Sequence, residues 1–126
     1  MIVQGKTNAK SKEKVTENID LISFLPANQL LPEIRSSEFL ICRAAYSSIM
    51  DVVYLAKKAL LVPTKGQYEQ EYLAEYLKAK KWFYSVKEGA LDLTYDLDRL
   101  DTYQADVTWK DYALFKEQLA LWYANV

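Results

Sequence analysis

The sequence predicts an all-α protein, an antiparallel up-down four-helix bundle with left-handed heptad packing. Three observations predict it. Apolar residues recur in alternating steps of four and three along three stretches of the chain. The 126 residues hold only three glycines and three prolines, placed where helix breaks would be useful. No Asn-Gly or Asp-Gly pair and no long alternating run marks a hairpin.

The N-terminal segment 1–12 is polar and basic and reads as a flexible arm, leaving 13–126 as one four-helix domain. Helix one is expected over 13–25, with Val15, Ile19 and Ile22 on one side. Pro26 and Pro32 bracket a linker. Helix two is expected over 36–62, where Ser36 or Ser37 can accept an orphan N–H as N-cap. Its seam is Phe39, Cys42, Tyr46, Ile49, Val53, Ala56 and Leu60. Pro63 ends it, and helix three follows over 67–102. There the seam runs Tyr72, Tyr76, Ala79, Phe83, Val86, Ala90, Leu93, Leu97, Leu100. Gly89 interrupts it on the outer side, at about 1 kcal/mol relative to Ala. Helix four is expected over 109–124, with Thr108 as N-cap and Asp111 three residues on. Helices that share this period pack at about 20°.

Composition narrows the function. Sixteen basic residues face seventeen acidic ones, a net charge of −1, so any nucleic-acid site must be local. With no histidine and one cysteine, Cys42, the chain lacks His-based acid–base chemistry, a His or multi-Cys zinc site and an intrachain disulfide. No G-x-S-x-G, P-loop or G-x-G-x-x-G occurs, and Asp92, Asp96 and Asp98 do not follow the calcium-loop pattern. The reading is therefore not an enzyme, with no metal and no cofactor. No apolar stretch follows the early lysines and no run is long enough to span a bilayer, so a cytoplasmic chain without membrane contact is expected.

Some residues exceed what one bundle core needs. Helix two is apolar on nearly every side, carrying Leu40, Ile41, Val52, Tyr54, Leu55 and Leu61 beyond its seam. Either helix one and the linker cover that face or another subunit does. Trp82 lies opposite the helix-three seam beside Lys78 and Lys81, where it can pack inward, stack a base or anchor a partner. Aspartates 92, 96, 98, 101, 106 and 111 oppose the dipole of helix three and could meet the basic region of another chain. The candidate partner interface is Tyr54, Leu55, Trp82, Asp96 and Asp101. Ten tyrosines suit half-buried boundaries.

The segments SEFLICRAAYSSIMDVVYLAKKALL (37–61), YLAEYLKAKKWFYSVKEGALDL (72–93) and FKEQLALWY (115–123) carry a family likeness. They resemble the long helices of the accessory variability proteins of diversity-generating retroelements. The related four-helix proteins encoded in ribosomal RNA intervening sequences share the pattern. The resemblance implies a non-catalytic homo-oligomer, a ring-like pentamer, that binds a reverse transcriptase and its RNA. The RNA contacts it implies are Arg35, Arg43, Lys57, Lys58, Lys78 and Lys81, with Arg43 and Lys57 sharing a helix face. Two other readings stay open: a homo-oligomeric scaffold or adaptor without nucleic acid, and a small helical subunit of an RNA-guided complex.

Overall fold

The computed structural model describes residues 1–8 and 10–105. Over these residues it shows two three-stranded sheets and four helices, which replaces the expected four-helix bundle with an α/β fold. The chain divides into two compact units, residues 1–38 and residues 39–126.

In the first unit, strand β1 (Ile2–Val3) pairs parallel with β3 (Ile19–Ile22), and β2 (Lys12–Thr16) pairs antiparallel with β3. The N-terminal segment thus contributes β1 and the first residue of β2. The helix expected over 13–25 is a hairpin. Thr16 faces Ile19, which leaves Glu17 and Asn18 as a two-residue loop. Val15, Thr16, Ile19 and Ile22 are β-branched and prefer this pleated surface to a helix. Buried Ser23 extends the pairing: its hydroxyl accepts from the Ser11 amide at 2.7 Å and donates to the Ser11 carbonyl at 3.1 Å. Helix α1 (Ala27–Ser36) starts after Pro26 and contains Pro32, so the bracketed linker is itself helical. Ser36 and Ser37 do not cap a following helix. Their hydroxyls donate to the carbonyls of Glu33 and Ile34 and close α1 instead.

The second unit alternates strand and helix: β4 (Phe39–Cys42), α2 (Tyr46–Tyr54), β5 (Lys58–Leu61), α3 (Tyr68–Ala79), β6 (Tyr84–Ser85) and α4 (Leu93–Leu100). The strands are all parallel, in the order β4-β5-β6, with Cys42 beside Leu61 and Leu61 beside Ser85. The helix expected over 36–62 is therefore a βαβ unit. Its all-round hydrophobicity belongs to FLIC and KALL, short apolar runs of the kind that form buried parallel strands. Ala56, at φ 49°, reverses the chain after α2. The helix expected over 67–102 is α3, a turn with Lys81 at φ 57°, strand β6, a turn at Gly89 (φ 83°) and α4. A left-handed conformation costs glycine nothing, so the residue that disfavoured a continuous helix sits in the turn between β6 and α4, while α3 has already ended before Lys81. Asp92 then restarts the helix by accepting from the Thr94 and Tyr95 amides. The helix expected over 109–124 lies outside the described residues.

The middle strand is covered on both faces. Ala59 and Leu61 pack with Ile49 and Val52 of α2, with Ala74 and Leu77 of α3, and with Phe83. Leu60 points the other way, to Tyr84 and to Leu100 of α4. Leu60 and Leu61 are fully buried, and truncating either to Ala would cost about 2–5 kcal/mol. This sandwich leaves the loops after the strands as the place for polar chemistry.

Candidate functional site

In an open parallel sheet, ligands bind outside the carboxyl ends of the strands, where loops enter the helices. Here three loops meet at that edge: Arg43–Ala45 after β4, Val62–Gln67 after β5, and Val86–Asp92 after β6. Arg43 crosses between them. One guanidinium nitrogen donates to the Val62 carbonyl at 3.3 Å, and the other meets the Glu88 carboxylate at 2.6 Å. The second Glu88 oxygen accepts from the Lys65 amide at 3.1 Å. That amide and the Arg43 guanidinium hold the Glu88 carboxyl below its usual range, the amide contributing most. Cys42, the last residue of β4, has its thiol pushed up to about 11 by burial, so it stays protonated.

Each of the three helices begins at this edge, and they begin differently. Helix α3 follows a turn whose amides are met from within: Gly66 donates to Glu71 at 2.9 Å and Thr64 to Gln70 at 3.0 Å. Helix α4 has Asp92 as its N-cap. Helix α2 begins at Ala45 with no side-chain cap and no acidic residue in its first turn. The first amides of a helix lack intrahelical acceptors and carry a partial positive charge. The α2 start is thus unneutralised by a cap, and two residues before it the charge of Arg43 is met by Glu88.

The residues expected to bind RNA do not form one face. Arg43 follows the carboxyl end of β4, whereas Lys57 precedes the amino end of β5; in a parallel pair these are opposite edges of the sheet. Their fourteen-residue spacing assumed one continuous helix, which β4 and β5 replace. Lys58 starts β5 and pairs with Asp101. Lys78 donates to the Ser85 carbonyl at 2.7 Å and sits 4.6 Å from the Tyr84 ring centroid. Lys81 occupies the turn after α3. Arg35 lies in the last turn of α1, in the first unit.

The residues expected at a partner interface scatter as well. Tyr54 is exposed at the end of α2 and Leu55 caps that helix. Trp82 packs partly against the core. Asp101 pairs with Lys58, and Asp96 is buried, accepting from the Tyr84 hydroxyl and the Asp92 amide. Trp82 and Asp101 also border a cavity of about 300 Å³ at the amino edge, together with Lys57, Tyr103 and Ala105. The lining of that cavity is mostly apolar and holds no helix start. Sequence reasoning did not find Ala45, Lys65 or Glu88. The available signal was Pro-Thr-Lys-Gly between an apolar run and a helix, the pattern of a loop leaving a strand.

Parallel strands joined by helices define an α/β domain, with a polar edge at the strand ends where such sheets hold ligands. Residues 3–103 match the family model of the glycosyltransferase family 28 C-terminal domain, and the chain belongs to that family. No curated protein and no solved structure matches it. The family overturns the expected kinship with retroelement accessory proteins, and with it the non-catalytic, RNA-binding function. The scaffold alternative is unsupported too, because membership points to an enzyme family. Among the described residues no group of carboxylates or thiols is placed to hold a metal ion, and no helix is long and apolar enough to cross a membrane.

Proposed function

We propose that this chain supplies the donor-binding part of a glycosyltransferase, and that the carboxyl edge of β4, β5 and β6 holds the phosphates of an activated sugar. The single observation that carries the reading is the bare start of α2 beside Arg43. Helix α3 also lacks a side-chain cap, but of the three helix starts only that of α2 has neither a cap nor an acidic residue in its first turn.

Glycosyl transfer breaks the bond between the sugar's anomeric carbon and a phosphate oxygen, and negative charge grows on the departing phosphate. Donors fixed before the reaction stabilise such charge without reorganisation. A guanidinium matches a phosphate in two-pronged geometry. Helix amides aim at an anion by construction. A nucleoside diphosphate sugar fits this chemistry, since it presents two phosphates. We place the activity in the cytoplasm, where the one cysteine of the chain stays reduced.

Calorimetric titration of a nucleoside diphosphate tests the reading. The expected result is binding that weakens with added salt and falls at least tenfold in Arg43→Gln. Equal affinity in Arg43→Gln and wild type would overturn the assignment of Arg43.

A further inference from the structure

We infer that Glu88 is the positioning residue for Arg43: its carboxylate ties the three carboxyl-edge loops together and holds the guanidinium ready for the donor's phosphates. This inference rests on the reading of that edge as the donor site.

The geometry is that of a clip. Glu88 lies three residues beyond Ser85, the last residue of β6, and reaches past the end of the middle strand to Arg43 on the far side. Its two oxygens are used separately, one on the Arg43 side chain at 2.6 Å and one on the Lys65 backbone at 3.1 Å. Arg43 is held a second time by the Val62 carbonyl at 3.3 Å. A guanidinium has five N–H donors. These two contacts fix its plane and leave the other donors for a ligand.

Energetics separate a positioning role from a structural one. Both side chains of the pair are about half exposed. An ion pair so wetted contributes little to folding. Its effect belongs in binding, because a freely rotating arginine must lose its rotamer freedom when the ligand arrives, and a held one has already lost it. Burial does not force Glu88 into place. The Lys65 amide and Arg43 favour its charged form, so the clip is closed at neutral pH.

The sign of the effect is diagnostic. Removing a negative charge beside an anion site should strengthen anion binding if charge alone mattered. Loss of positioning weakens it.

The experiment titrates inorganic pyrophosphate into wild type, Glu88→Ala, Glu88→Gln and Glu88→Asp. We expect affinity to fall about tenfold in Glu88→Ala, roughly the loss of one charge-assisted contact. Glu88→Gln keeps one acceptor oxygen and should fall less. Thermal midpoints should stay within about 2 °C of wild type. The side-chain Nε resonance of Arg43 should be distinct in wild type and averaged in Glu88→Ala. Affinity unchanged or increased in both Glu88→Ala and Glu88→Gln, with wild type binding normally, would overturn the role of Glu88 and leave the donor site standing. Absence of pyrophosphate binding by wild type would overturn the reading of the edge, and the role of Glu88 with it.

Discussion

The Tyr84 hydroxyl donates to the Asp96 carboxylate across 3.1 Å, and both residues are buried. Tyr84 belongs to β6 and Asp96 to α4, so this bond fastens the strand to the helix that follows the site loop. The other Asp96 oxygen accepts from the Asp92 amide at 2.8 Å. Asp92 in turn caps α4. One buried carboxylate thus sets where the loop containing Glu88 ends.

Tyr84→Phe leaves an Asp96 oxygen without its donor. Stability should fall by about 1–3 kcal/mol, the usual cost of stranding a buried polar atom. Urea unfolding measures it. Burial, followed by the bond to Asp96, raises the Tyr84 pKa above its ordinary value of 10.0. The folded state therefore favours the neutral phenol. That stability is fully present below about pH 10 and is lost as pH rises from there through the folded pKa. Wild type should lose stability over this alkaline window more steeply than Tyr84→Phe.

The middle strand was legible as hydrophobic but not as a strand. Leu60 fits a heptad seam as well as a buried strand, and Leu61 reads equally as the outer side of a helix, because four residues are too few for period to decide. What settles the matter is pairing with Phe39–Cys42 and Tyr84–Ser85, some twenty residues away on either side. Such non-local pairing leaves no local trace. Gly89 and Pro63 were legible as breaks, and Asp92 as a polar residue near a helix end, though its capping role required a break before it. Arg43 was picked out for a helical face that does not exist. Ala45 matters for lacking a side chain that could cap, and a missing group is hard to notice without knowing that a helix starts there.

Ala56 adopts φ 49° although it carries a Cβ. That conformation costs an L-residue about 1 kcal/mol or more. Ala56→Gly should relieve it, partly offset by the greater freedom of glycine in the unfolded chain. The net gain should be up to about 1 kcal/mol by urea unfolding, with pyrophosphate binding unchanged, since Ala56 lies at the amino edge.

Ala45 sits at the α2 N-cap in extended geometry, φ −77° and ψ 143°. Ala45→Asp places a carboxylate on the helix amides. The cap should raise stability by about 1 kcal/mol, while the same carboxylate should displace a phosphate and abolish binding. Opposite changes in melting temperature and affinity are the expected signature.

Cys42 has a thiol pKa of about 11 against an ordinary 9.0. Because the thiolate is the reactive form, its alkylation by iodoacetamide near neutral pH should be roughly a hundredfold slower than that of a free thiol. Reaction at the rate of free cysteine would contradict the burial of β4.

The central claim is where the donor's phosphates bind. Backbone amide shifts on adding a nucleoside diphosphate test it most directly, because each edge of the sheet carries its own reporters. Perturbations should gather at residues 43–48, 62–67 and 86–89. If they gather instead around Lys57, Trp82 and Tyr103, the phosphates sit in the amino-edge cavity and the account is wrong.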